Sequence, residues 1–159
     1  MNKSRVLPLR VLGTLILGLA VLVSACGGKV VPSVEGEWGP LAVTDPDGGM
    51  DALMYGELIV EDKCVLLDEQ GDEVLLVWPK GTTGWDVATR TIFFESSDGT
   101  VHELRDGDQL QLGGGGTSAD EGGLDKEAFL ADTDWVSAPD ASCLRDTVWG
   151  VSDARLGTP

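Results

Sequence analysis

The chain has 159 residues, which is enough for one modest folded domain and does not favour a second independent core. Asp and Glu total 27 against 11 Lys and Arg, a formal net charge of −16 at pH 7. Because nucleic-acid binding depends on Lys and Arg that neutralise phosphates, this balance excludes nucleic acid as a partner. An apolar content of 42% with clear strand patterns also excludes a wholly disordered chain.

The N-terminus has the layout of an export signal. Residues 1–10 are basic, and residues 11–23 form an uncharged apolar run of 13 residues. That run is too short for the ~20 residues of a membrane-spanning helix and suits a signal peptide, with a non-cleaved anchor as the alternative. It ends at Val23-Ser24-Ala25-Cys26, a motif that resembles the lipobox of bacterial lipoproteins.

This resemblance implies a signal peptide over residues 1–25 and a lipid-modified Cys26 at the mature N-terminus. Two or more acyl chains such as palmitate would then hold the protein stably on the extracytoplasmic face of the cell membrane, at ~0.8 kcal/mol per buried methylene. Removing the signal peptide also removes three cations and no acid, which leaves 8 cationic and 27 acidic side chains and a side-chain charge of −19. Residues 26–37 form a short tether that spans roughly 40 Å when fully stretched.

The body of the chain is rich in short apolar or alternating runs that are typical of strands. An edge strand is predicted at Leu41–Thr44, because the preceding Pro40 is tolerated there. Asp98-Gly99 and Asp106-Gly107 are predicted tight turns, since Asp-Gly supplies the positive φ that such turns need. Six further strands are predicted: Tyr55–Glu61, Cys64–Leu67, Val74–Trp78, Thr91–Ser96, Thr100–Leu104 and Gln109–Leu112.

Six short antiparallel strands in about sixty residues predict a mainly β fold, a small antiparallel barrel of the OB-like or SH3-like type. Gly113–Gly116 is predicted to end the sheet, and a short C-terminal helix is predicted at Leu124–Ala131. Trp135–Ala138 and Cys143–Val151 are predicted final strands. A single β-rich domain is therefore expected over residues 38–151, followed by a flexible tail over residues 152–159.

Residues 55–116 carry a second, looser resemblance. Their order is a strand with Cys64, then the segment LLVWPKGTTGW, then Asp-Gly turns and LGGGG. This order is similar to that of uncharacterised secreted and lipid-anchored proteins of high-GC Gram-positive bacteria. The resemblance implies no particular activity.

With Cys26 modified by lipid, Cys64 and Cys143 remain as an even pair in an exported chain, and they are predicted to form a disulfide. The alternative is two buried free thiols. A redox-active pair is not favoured, because the CxxC spacing is missing.

Two patterns in the sequence are candidates for chemical sites. Asp45, Asp47 and Asp51 surround a glycine-containing turn and are a weak candidate for a calcium site, although the spacing fits a solvated acidic turn better. His102 is the one histidine in the chain, and no nucleophile motif accompanies it, so catalysis is not favoured. The sequence predicts no cofactor.

Trp78 and Trp85 stand at the two ends of a Gly- and Thr-containing loop. Exposed tryptophans would offer a rigid platform for a peptide or a sugar. The favoured alternative is that both indoles fill the barrel core.

The sequence thus predicts a lipid-anchored extracytoplasmic binding or structural module of the cell envelope. Its expected partners are the membrane, through the lipid, and an envelope protein, a peptide or a glycan. A cell-wall enzyme or enzyme accessory, and a calcium or cationic-ligand binding protein, are the alternatives.

Overall fold

A computed structural model describes residues 37–45, 51–117 and 125–157. The predicted signal peptide and Cys26 lie outside the described residues. The described part contains one helix, α1 (Lys126–Asp132), and a 3-10 turn (Ala141–Cys143). Its strands are β1 (Ala42–Thr44), β2 (Ala52–Val60), β3 (Val65–Glu69), β4 (Asp72–Pro79), β5 (Thr83–Asp86), β6 (Thr91–Glu95), β7 (Val101–Leu104), β8 (Gln109–Gly116), β9 (Trp135–Ser137) and β10 (Thr147–Leu156).

Five strands form a closed barrel, as predicted. Neighbouring strands follow the order β10-β8-β2-β3-β4, and a pairing between β10 and β4 closes the ring. Every pairing in the ring is antiparallel except the closing one, which is parallel. The five barrel strands, numbered along the chain, thus follow the order 1-2-3-5-4. This crossed order is that of a Greek-key barrel, the OB-like of the two predicted types.

The barrel interior is the main hydrophobic core, called here the barrel core. It follows the two-residue period of strands, since Val74, Leu76 and Trp78 of β4 point inward while Leu75 and Val77 point outward. A two-residue turn at Gln70-Gly71 joins β3 to β4, and both of its residues have positive φ (59° and 102°). This turn conformation suits the right-handed twist of a hairpin.

A separate three-stranded sheet, β5-β6-β7, packs on the barrel. Its buried side chains Trp85, Ile92, Phe94 and Leu104 belong to the barrel core. Phe94 meets Trp78 edge to face at a centroid distance of 5.8 Å, an arrangement that aromatic pairs favour. The sheet is therefore part of the same folded unit.

Outside the barrel lies a second hydrophobic group, called here the outer cluster. Leu66, Leu75 and Val77 on the outward face of β3 and β4 are buried there together with Ala42, Cys64, Cys143 and Val148. Half-buried Phe129, Leu130 and Trp135 from α1 and β9 pack on this cluster. Residues 125–143, called here the covering segment, thus lie over the outside of the barrel at β3 and β4.

The predicted disulfide is confirmed. Cys64, just before β3, is bonded to Cys143 at the end of the 3-10 turn, with a Cα–Cα distance of 5.4 Å. Both residues are buried in the outer cluster. The bridge therefore fastens the covering segment to the barrel wall.

Several local predictions are wrong. β1 is not an edge strand, because it lies between β4 and β9. The predicted strands now assigned as β6 and β7 lie in the separate small sheet and not in the barrel.

The chain also stays ordered where turns and a tail were predicted. Gly113–Gly116 does not end the sheet, since it continues β8 and pairs with β10. The domain extends beyond residue 151, because β10 pairs with β8 as far as Leu156. Within residues 37–45, 51–117 and 125–157, no helix combines the length and apolar composition needed to cross a membrane.

The Asp140 carboxylate makes the stability of the turn that carries Cys143 dependent on pH. Its carboxylate accepts hydrogen bonds from the Ser142 hydroxyl (2.7 Å) and backbone N–H (2.9 Å) and lies 3.3 Å from Lys63 Nζ. These contacts, Ser142 first, lower the pKa of Asp140 from 3.8 to about 2. Because the pKa is lowered in the folded state, the stabilisation is fully present above about pH 4 and is lost as the pH falls towards 2.

We therefore expect carboxyl-carbon NMR to give Asp140 a titration midpoint near pH 2. The urea midpoint of the wild type should fall between pH 4 and pH 2 as Asp140 is protonated. The midpoint of Asp140→Asn should fall less over the same range, because the variant lacks this carboxylate. An Asp140 midpoint near pH 3.8 would show that the Ser142 and Lys63 contacts do not form in solution.

Candidate functional site

The two tryptophans predicted as a possible ligand platform are buried, and that prediction is wrong. Trp78 is 0% exposed and Trp85 is 7% exposed. Trp78 is inward-facing on β4, and Trp85 of β5 packs directly under the backbone of Gly39, where a Cβ would collide with the indole ring. The favoured alternative, in which both indoles belong to the core, is confirmed.

The described residues do not bring Asp45, Asp47 and Asp51 together as a calcium site. Asp45 and Asp51 are at the two ends of the turn, and Asp47 lies outside the described residues. Within the described ranges, no group of three or more His, Cys, Asp or Glu side chains is arranged to hold a metal ion.

His102 lies half-buried on β7, opposite Phe94 of β6. Its electrostatic effect on Asp98 is small, because the pKa of Asp98 is lowered mainly by hydrogen bonds from Thr100, then by the charge of Arg155, and least by His102. His102 lines neither of the two grooves described below.

The face that OB-like barrels often use for ligands is closed in this chain. Such barrels bind oligonucleotides and oligosaccharides on the face of their second and third strands, which here are β3 and β4. The outward side chains of both strands include Leu66, Leu75 and Val77, and these are buried in the outer cluster. A ligand would have to displace α1 and the disulfide-linked turn to reach them.

The neighbouring part of the barrel surface is open and polar. A groove of about 440 Å³ runs across the outside of β2, β3 and β8, and we call it the Tyr55 groove. It is lined by Tyr55, Gly56, Glu57, Asp68, Gln70, Gly71 and Gln109. Its volume is in the range of small-ligand sites in proteins, roughly 300–1,000 Å³.

Strand register sets the side chains of the Tyr55 groove in rows. Glu57 on β2 is directly opposite Asp68 on β3 and Gln109 on β8. Adjacent strands are about 4.8 Å apart, so these three polar side chains stand next to one another across the barrel wall. In the next row, Tyr55 is opposite Gln111.

Hydrogen bonds hold these side chains in place. Gln109 Nε2 donates to Glu57 Oε2 at 3.0 Å, and Gln111 Nε2 donates to the Tyr55 hydroxyl at 3.2 Å. The Asp68 carboxylate accepts the Gly71 backbone N–H at 2.6 Å and so fixes the turn at the end of the groove. The groove is therefore lined by oriented donors and acceptors beside one aromatic ring.

A second groove, of about 520 Å³, has three apolar side chains in its lining. It lies where the described chain begins and is lined by Trp38, Val87 and Val136 together with Glu37, Gly39 and Ser137. Val87 is 63% exposed in it.

No motif in the sequence marks Tyr55, Glu57 or Asp68 as a site residue. One signal did point to this surface, namely the alternation Gln109-Leu110-Gln111-Leu112, which predicts a wet face and a packed face. The structure confirms it, because Leu110 and Leu112 are buried while Gln109 is exposed and Gln111 is half-buried.

Comparisons with protein-family models, with curated proteins and with solved structures found no significant match to this chain.

Proposed function

We propose that this protein is a lipid-anchored, extracytoplasmic module of the cell envelope that binds or supports another envelope component and performs no catalysis. Cys26 is the residue proposed to carry the lipid. The partner classes are an envelope protein, a peptide or a glycan.

One observation carries the extracytoplasmic part of the proposal, the buried Cys64–Cys143 disulfide. Structural disulfides form and persist in oxidising compartments and are rare in the cytosol of mesophiles. The bridge uses both cysteines that follow the lipobox, which leaves Cys26 as the one cysteine available for lipid. Export and lipid modification together therefore account for all three cysteines.

Charge and tether length support a position close to the membrane but not pressed against it. The mature chain would carry a side-chain charge of −19, so anionic lipid headgroups would repel the folded domain. Residues 26–37 limit its distance from the anchor to roughly 40 Å. A domain held in this way can contact partners within the adjacent layer of the envelope.

The Tyr55 groove supports a binding role, since it offers oriented polar groups on a rigid barrel wall. Binding sites built on strands are held more firmly than sites on loops.

Cys26→Ser tests the anchor. We expect the variant to accumulate as unprocessed precursor or to leave the membrane fraction, because it lacks the thiol that would accept the lipid. Membrane fractionation and the intact mass of the purified protein measure both outcomes.

Ser24→Ala is the matched control, since it keeps a small side chain beside the processing site and should remain anchored. A Cys26→Ser protein that is still processed and still membrane-bound would overturn the lipoprotein assignment.

A further inference from the structure

We propose that the Tyr55 groove is a binding site for a neutral, hydroxyl-rich ligand, a saccharide unit. This inference rests on the proposed binding role, and it names the ligand class. It does not depend on how the protein is attached to the membrane.

The groove contains both hydrogen-bond donors and hydrogen-bond acceptors. Glu57 and Asp68 supply carboxylate acceptors, whereas the Gln109 side-chain amide supplies N–H donors and a carbonyl acceptor. A sugar hydroxyl both donates and accepts, so it can use all of these groups at once. Ammonium and guanidinium groups donate only. A cationic ligand would therefore not accept from the second Gln109 N–H, the one that is not donated to Glu57.

The position of Tyr55 adds an apolar surface to these polar groups. Its ring is half-buried in the barrel wall, and its hydroxyl is fixed by Gln111 Nε2 at 3.2 Å. A tyrosine provides a large rigid contact area with little loss of conformational entropy on binding. The C–H face of a pyranose ring is the complementary surface.

The charge of the groove selects against anionic saccharides. Glu57, Asp68 and Glu73 are in register on three adjacent strands, and like charges directly opposite one another are destabilising. Arg145 Nε lies 2.6 Å from Glu73 Oε2 and balances the far end of this row. Glu57 and Asp68 line the groove itself and would repel uronate or phosphate groups.

The groove is also shallow and lies across regular strands. Gly56 brings β2 close to β3, because a Cβ at this position would collide with the Asp68 carbonyl oxygen and lie 2.8 Å from Leu67 Cγ. Gly71, at the rim, has nothing within 4 Å of its Cβ position. The space at Gly71 leaves room at the rim for a ligand that extends beyond one sugar ring.

The test uses the full chain, purified in detergent from whichever cell fraction contains it. Saturation-transfer NMR is recorded with maltotriose, cellotriose and N-acetylated chitotriose as neutral probes, and with a triuronate and trilysine as charged probes. We expect at least one neutral trisaccharide to bind. Its affinity should fall about tenfold in Tyr55→Ala and in Gln109→Ala, as for the loss of one well-placed contact.

Matched variants separate loss of the site from loss of the fold. Glu57→Gln should weaken binding, whereas Glu95→Gln, which changes an exposed glutamate on β6 of the small sheet, should not. Tyr55→Phe keeps the ring and should retain more affinity than Tyr55→Ala.

Three results would overturn the inference: no neutral trisaccharide binds, Tyr55→Ala and Gln109→Ala bind as tightly as the wild type, or trilysine alone binds. If the protein is anchored through Cys26 but binds no saccharide, only the ligand assignment fails. If it binds a saccharide but carries no lipid, only the anchor fails.

Discussion

Replacing both Cys64 and Cys143 by alanine is expected to lower the free energy of unfolding by about 4.5 kcal/mol. The bridge joins residues 79 positions apart, and closing a loop of that length removes roughly this amount of chain entropy from the unfolded state. Alanine is preferred to serine, because both sites are buried and a serine hydroxyl there would add its own desolvation cost. Urea unfolding under non-reducing conditions measures the difference.

The loss should be uneven within the molecule. Without the bridge, α1 and the 3-10 turn are held on the outer cluster mainly by the half-buried Phe129, Leu130 and Trp135. Amide hydrogen exchange should therefore accelerate first in α1 and last in the barrel strands.

Wild-type protein treated with reductant should unfold near the midpoint of the double variant, and Cys26→Ser should unfold at the oxidised wild-type midpoint. If the free energy of unfolding of the double alanine variant fell by less than about 1 kcal/mol, the disulfide would not be what holds the covering segment on the barrel.

The sequence predicts the strands in which polar and apolar residues alternate or apolar residues form a continuous run. Val74–Trp78 and Gln109–Leu112 lie within β4 and β8, and the Asp-Gly turns have the expected positive φ at Gly99 (79°) and Gly107 (82°). The disulfide follows from the cysteine count once Cys26 is assigned to the lipid. These features depend on local preferences that a short stretch of sequence carries by itself.

Strand pairing and burial decide the features that the sequence did not predict. Thr83–Asp86 has few residues and adjacent glycines, and it becomes strand β5 because β6 pairs with it and Trp85 is buried. The partner of β1 also could not be known, since its neighbours β4 and β9 are distant in the chain. β5 lies in the small sheet and β1 lies outside the ring, so both depend on tertiary packing that no local pattern encodes.

The Tyr55 groove was hidden for the same reason. Tyr55, Asp68 and Gln109 are far apart in sequence and become neighbours only through the register of β2 with β3 and β8. The tryptophans were the more visible candidates because large aromatic residues are conspicuous in a sequence, yet a closed barrel needs such side chains in its interior.

Replacing a glycine in the Gly113–Gly116 run of β8 is expected to destabilise the domain strongly, because this run lies very close to β10. A Cβ at position 114 would collide with the Gly150 carbonyl oxygen and lie 2.7 Å from Trp149 Nε1. Gly114 also has φ of +154°, which side-chain-bearing residues rarely adopt. We expect Gly114→Ala to destabilise the domain by about 3 kcal/mol, since a backbone carbonyl in a paired strand cannot move aside cheaply.

Gly116→Ala should have a similar effect without any contribution from φ, because its Cβ would collide with the Val148 carbonyl oxygen and lie 3.1 Å from Trp149 Cα. Gly81→Ala is the matched control, since nothing lies within 4 Å of its Cβ position and its stability should change by less than about 0.5 kcal/mol. Chemical unfolding of the three variants separates steric cost from backbone strain.

If Gly114→Ala and Gly116→Ala were both as stable as Gly81→Ala, β8 and β10 would not approach this closely. The antiparallel pairing that carries β10 to the barrel seam would then be wrong, and so would the closed barrel on which the Tyr55 groove depends.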